Sequence, residues 1–126
     1  MSGGPLTASV VLSMIKYFHH LKKVGKDFAV SEPGVYYRYF EKDTLAHGLL
    51  LPCYPASREI CTVGGMVANN SGGEKTLVYG KTERYVRQIK MVIHDGSECT
   101  FAPLPPAELK LKMAQQDAEG DIYRKM

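Results

Sequence analysis

The residues best suited to chemistry lie in one stretch, CTVGGMVANNSGGEK, running from Cys61 to Lys75. Two glycine pairs, Gly64–Gly65 and Gly72–Gly73, bracket small and polar residues, although glycine in regular structure costs about 0.5–1 kcal/mol relative to alanine. With Thr62 as N-cap, Gly64 and Gly65 fall in the first turn of a short helix over Thr62 to Asn70. First-turn N–H groups lack intrahelical partners, and without Cβ atoms a phosphate or a flat ring can approach the main chain closely. Ser57 and Thr62 add hydroxyls at that end. Asn69, Asn70 and Ser71 add hydrogen-bonding groups at the other, and Gly72–Gly73 let the chain reverse. The same residues also read as a helix pressed against a sheet, one glycine pair for packing and one for the C-cap. Two glycine pairs are a weak motif and leave both readings open.

Other chemically capable residues are less well placed. Cys53, Cys61 and Cys99 form no CxxC or Cys/His metal spacing and read as packed thiols of a reducing compartment. Cys61 in particular has no base or second cysteine in sequence to activate it. His19–His20 lacks companion ligands at i+4 spacing, so no metal site is expected. His47 and His94 fall in surface or strand contexts, and no catalytic residue is assigned. A net charge of +3 with a pI of 8.7 does not amount to a clustered basic face, so no nucleic-acid partner is expected. No signal peptide and no run near ~18 apolar residues is present, so neither secretion nor a membrane span is expected, and a soluble cytoplasmic protein is.

The elements that must position these residues follow from periodicity. VVLSM (10–14) is β-branched and reads as a strand, and FAVS (28–31) as another, stopped by Pro33–Gly34. From Val35 to Gly48, the residues Tyr36, Tyr39, Phe40 and Leu45, with Tyr37 as a further candidate, recur at three- and four-residue spacing, which predicts an amphipathic helix ending at Gly48. LLLPCYPAS reads as a short apolar strand broken by Pro52 and Pro55. YVRQIKMVIH (85–94), the turn Asp95–Gly96 and the return SECTFAP predict a hairpin. The tail from Pro105 is charged, with Pro106 suited to the first helical position, and carries too little apolar content to fold alone. Short strands mixed with helices in a non-alternating order indicate an α+β fold with a small mixed or antiparallel sheet and flanking helices. No GxGxxG opens a helix after a strand, so a Rossmann unit is not expected.

The ordered segment PASREICTVGGMVANNSGGEKTLVYGKTERYVRQIKMVIHDG (55–96) resembles the FAD-binding domain of the vanillyl-alcohol-oxidase type, also called the PCMH type. The resemblance is strongest to FAD-linked oxidases such as D-lactate dehydrogenases and the FAD-binding glycolate oxidase subunit. It extends upstream through VSEPGV (30–35) and GGPLTA (3–8), and so covers roughly residues 3–105. It implies a second subdomain of such a domain over 1–104, with 105–126 as the start of a further region. It also implies an extended FAD between two α+β subdomains. Pro55, Ala56 and Ser57 would line the flavin and ribityl region, and Thr62, Gly64 and Gly65 would meet the pyrophosphate or flavin. Asn69, Gly72, Gly73, Tyr79 and Gly80 would continue the wall, Ile93 would lie near the adenine, and Gly34 would help admit the nucleotide end. Hydride transfer from a 2-hydroxy acid would be the cofactor's chemistry.

The resemblance also marks what this chain would need from elsewhere. The family's first subdomain with its main phosphate loop, and the cap with substrate-binding residues, find no counterpart in these 126 residues. The expectation is therefore an incomplete enzyme that takes a partner chain or segment, and that binds FAD weakly or not at all by itself. A non-catalytic interaction module on the same fold, or a general nucleotide-binding module, are the alternatives.

Overall fold

The computed structural model describes Ala8 and residues 10–126. The GGPLTA motif therefore lies, apart from Ala8, outside the described residues. The chain divides into two compact units, Met1–Tyr85 and Val86–Met126. Both are built from short helices and antiparallel two-stranded sheets, so the chain is α+β.

In the first unit, a one-turn helix α1 (Met14–Tyr17) precedes strands β1 (Leu21–Val24) and β2 (Ala29–Ser31). The strands pair antiparallel, with a bulge between Leu21 and Lys23. A turn at Gly25–Lys26 closes this hairpin, where the Gly25 N–H donates to the Phe28 carbonyl at 2.7 Å. The strand expected over VVLSM does not form. Residues 10–13 carry no regular structure, and Val10, Val11 and Leu12 are exposed. A strand exists only where a neighbour takes its backbone groups, and β1 pairs with β2 instead.

Helix α2 (Tyr37–Leu45) follows, and the chain leaves it through Gly48 at a left-handed φ of 73°. Tyr37, Phe40 and Thr44 form its buried face. They meet Val35, Cys53, Tyr54 and Met66 in one core, with ring centroids 6.2 Å apart for Tyr37–Phe40 and 5.6 Å for Tyr37–Tyr54. The fully buried Tyr37 keeps its hydroxyl satisfied by donating to the Leu51 carbonyl at 2.7 Å. The strand expected in LLLPCYPAS is replaced by turns. Prolines at 52 and 55 offer no N–H to a ladder, and Cys53 and Tyr54 go into the core instead.

Helix α3 (Val63–Ala68) occupies the glycine-rich stretch, with Thr62 as its N-cap as expected. Helix α4 (Thr76–Tyr79) and a 3-10 turn over Thr82–Tyr85 complete the unit. In the second unit, β3 (Ile89–Val92) pairs with β4 (Glu98–Phe101) in the register Ile89↔Phe101 to Val92↔Glu98. The turn between them carries Gly96 at φ 87°. Helix α5 (Pro106–Ala114) starts with proline in its first turn, and α6 (Ala118–Lys125) is capped by Asp117, which accepts from the Gly120 N–H at 2.7 Å. The tail is thus folded together with the hairpin, its Tyr123 buried 5.7 Å from the Phe101 ring.

Candidate functional site

The start of α3 is closed by the chain itself. The Val63 N–H donates to the Val35 carbonyl at 2.8 Å, the Gly64 N–H to the Pro33 carbonyl at 2.9 Å, and the Gly65 N–H to Thr62 Oγ1 at 3.2 Å. A bridge between Tyr36 and Thr62 runs alongside. These bonds lash the glycine stretch to the Pro33–Gly34 corner. They also take up the first-turn donors that sequence reasoning left free for a ligand. A Cβ at Gly64 would come within 2.8 Å of the Pro33 carbonyl oxygen, so that glycine is required by close packing. Gly65, in contrast, is exposed, and the atom its Cβ would meet is Thr62 Oγ1 at 3.1 Å.

The far end of α3 turns at Asn70, which adopts a left-handed φ of 44°, a conformation that asparagine tolerates. The chain then reverses through Gly72–Gly73 and comes back against the PAS loop. A Cβ at Gly73 would collide with the Tyr54 carbonyl oxygen and stand 3.1 Å from Pro55 Cα. The Gly73 N–H donates to Thr76 Oγ1 at 2.7 Å and so starts α4. The PAS loop is itself a tight turn, in which the Pro55 carbonyl accepts from the Arg58 N–H at 3.0 Å and the Ser57 carbonyl from the Cys61 N–H at 2.9 Å. Gly73 thus meets Tyr54 and Pro55 across almost twenty positions of sequence.

Asn69 donates through Nδ2 to Ser71 Oγ at 3.3 Å, and exposed Tyr79 precedes Gly80, which has a left-handed φ of 77°. The Tyr85 hydroxyl holds that corner by donating to the Tyr79 carbonyl at 2.8 Å. Gly34 is buried, donates to the Phe18 carbonyl at 2.6 Å, and borders a cleft of about 230 Å³ walled by Tyr36, Tyr39, His19 and Asp43. Ile93 closes the β3–β4 turn in the other compact unit, donating to the Ser97 carbonyl at 3.0 Å.

Electrostatics add two cations beside the PAS and SGG segments. Arg58 Cζ and Lys75 Nζ stand 5.1 and 5.4 Å from the centroid of the Tyr54 ring. A hydrogen bond with Tyr54 raises the Lys75 ammonium above its ordinary range. Burial pushes the Cys53 and Cys61 thiols up, and Cys61 Sγ lies 3.8 Å from the Arg58 carbonyl. Both are the packed, protonated thiols the sequence implied.

Sequence reasoning missed the residues that fasten this surface from behind. Thr82, Cys53 and Glu83 belong to no motif, and what marks Thr82 in the structure is burial of a hydroxyl that must find partners.

A sequence model of the FAD binding domain family matches residues 1–102, and the chain belongs to that family. Its cofactor is FAD. Among relatives, D-lactate dehydrogenase of Archaeoglobus fulgidus is 35% identical over 98 residues, which are 76% of this chain and 22% of that protein. Glycolate oxidase subunit GlcD of Escherichia coli is 34% identical over 105 residues, 80% of this chain and 21% of the relative. D-2-hydroxyglutarate dehydrogenase of Pseudomonas putida is 22% identical over 125 residues, 98% of this chain and 12% of the relative. The chain therefore spans about a fifth or less of the length of these enzymes.

Gly65, without a Cβ and exposed, leaves the main chain of α3 open to close approach by a ligand such as FAD. Exposed Ala56, Gly65, Asn69 and Tyr79 leave main chain and polar side chains open. The engaged N–H groups at the start of α3 are not available to a phosphate. Among the described residues no helix is long and apolar enough to cross a membrane.

Proposed function

We propose that this chain forms part of the FAD cradle of an oxidoreductase acting on a 2-hydroxy acid, of the D-lactate or glycolate dehydrogenase kind. One observation carries the reading: the PAS loop and the SGG turn abut through Gly73 and Tyr54 in a chain of the FAD binding domain family. In this reading Pro55, Ala56, Ser57 and the open face of Gly65 receive the flavin and ribityl portion. Asn69, Gly72, Gly73, Tyr79 and Gly80 continue the wall. Thr62 and Gly64 act by shaping the start of α3, since their hydrogen-bonding groups serve the chain. Gly34 anchors the corner that α3 hangs from.

Bound FAD supplies the hydride acceptor for the substrate α-carbon; this chain's residues bind and orient it. Residues 1–104 form the flavin-binding portion and 105–126 lead into a further region. The rest of the cradle and the substrate pocket come from another segment or a partner chain. Three thiols without a bridge among them fit a reducing cytoplasm.

Titration of the purified chain with FAD, followed by flavin fluorescence with ATP as competitor, tests this. The reading expects weak binding that ATP does not reverse at equal concentration. Tight stoichiometric binding would contradict a shared cradle, and equal competition by ATP would contradict a flavin site.

A further inference from the structure

Three segments that carry the expected cofactor residues meet at one buried threonine. Thr82 is 2% exposed, and its N–H and Oγ1 both donate to the Ser71 carbonyl, at 3.0 and 2.8 Å. The thiol of Cys53, 1% exposed, donates in turn to Thr82 Oγ1 at 3.6 Å. Cys53 stands two positions before Pro55, Ser71 directly before Gly72, and Thr82 two positions after Gly80. The Ser71 N–H donates to the Met66 carbonyl at 2.9 Å, so the same node grips the end of α3. A second tie lies outside it: Asn70 Nδ2 donates to Glu83 Oε2 at 2.6 Å, and the Glu83 N–H donates to Asn70 Oδ1 at 3.0 Å. That pair is exposed and water competes for it. The buried node has no such competitor, and leaving its groups unpaired is expensive.

We propose that Thr82 is a positioning residue for the flavin site. Its hydroxyl holds the PAS loop, the SGG turn and the Tyr79–Gly80 corner in fixed mutual register. The proposal rests on the flavin reading above and adds a residue that no motif marks. It assigns the role to the hydroxyl rather than to side-chain volume. Valine keeps the shape and the backbone bond and loses the two bonds of the hydroxyl; serine keeps all three and loses a methyl.

Amide hydrogen exchange on the full chain and on Thr82→Val and Thr82→Ser separates these. In Thr82→Val the amides of residues 71–76 should exchange about ten-fold faster or more, while those of α2 stay unchanged. Thr82→Ser should restore wild-type protection. The same amides, followed in the presence of millimolar FAD, should shift in wild type and Thr82→Ser and lose that shift in Thr82→Val. Wild-type protection in Thr82→Val would overturn the node. Lost protection with an unchanged FAD response would overturn its role in positioning. Absence of any FAD response in wild type would contradict the flavin reading, and exchange alone would still decide the node. If Thr82→Val does not fold, Thr82→Ser decides it: wild-type protection of residues 71–76 is expected, and a loss of about ten-fold there would overturn the assignment to the hydroxyl.

Discussion

Gly73 packs its Cα against the Tyr54 carbonyl so closely that no side chain fits between them. That contact joins two motifs that are remote in sequence. Gly73→Ala must push the SGG turn off the PAS loop, because the obstructing atom is backbone and cannot rotate away. Thermal or urea unfolding should show a loss of about 1–3 kcal/mol, with the Tyr54 and Pro55 surroundings disturbed first. Unchanged stability would mean the two loops are not held together as described.

Thr62 caps α3 by accepting from the Gly65 N–H. Thr62→Ala should cost about 1 kcal/mol and Thr62→Ser very little. Chemical unfolding of both variants checks this, with equal losses the contrary result.

The Tyr37 hydroxyl donates to the Leu51 carbonyl at 2.7 Å and lies 3.3 Å from Glu41 Oε1. Burial raises its ionisation beyond the ordinary tyrosine range. Tyr37→Phe keeps the ring packing but removes the bond to the half-buried Leu51 carbonyl, and should destabilise by about 0.5–1.5 kcal/mol. The phenol should also stay protonated in an alkaline spectrophotometric titration under native conditions.

Glu32 ties β1 to the Pro33–Gly34 corner. Its carboxylate accepts from Lys22 Nζ at 2.7 Å and from the His20 N–H at 2.8 Å, with His20 Nδ1 also 2.8 Å away. The bond from Lys22, then that from the His20 backbone, lowers its pKa from 4.5 to about 2. A depressed carboxylate contributes stability that is complete above its unfolded value and is lost as pH falls through its folded one. Melting temperature should therefore drop between about pH 4.5 and 2 in wild type. The Glu32→Gln variant should be less stable at neutral pH and flatter over that window. Parallel profiles for the two chains would contradict the tie.

Much of this was legible in the sequence where a local rule and the packing agree. Gly48 marked the end of α2, Thr62 the cap of α3, and Asp95–Gly96 the second hairpin. The spacing of Tyr36, Tyr39, Phe40 and Leu45 located α2 but not its buried face, which is Tyr37, Phe40 and Thr44, with Tyr39 and Leu45 exposed. The failures have one physical cause. VVLSM and LLLPCYPAS have strand composition, but a strand depends on a neighbour that composition does not name, and prolines 52 and 55 remove donors from the second. The glycine pairs were legible as positions of close approach, though not what approaches. Pro33 packs on Gly64 and Tyr54 on Gly73, and both contacts bridge long sequence separations. Thr82 carried no signal, because a threonine becomes informative when burial forces its hydroxyl to find partners.

The central claim is that the surface shared by the PAS loop, Gly65 and the SGG turn is where FAD meets this chain. A residue-resolved amide shift map of the chain titrated with FAD to millimolar concentration tests it most directly, since it detects weak binding as readily as tight. The account predicts saturating shifts concentrated on residues 56–57, 65, 69–73 and 79–80, with α2 unmoved. Shifts that never saturate, or that centre on α2 instead, would contradict it.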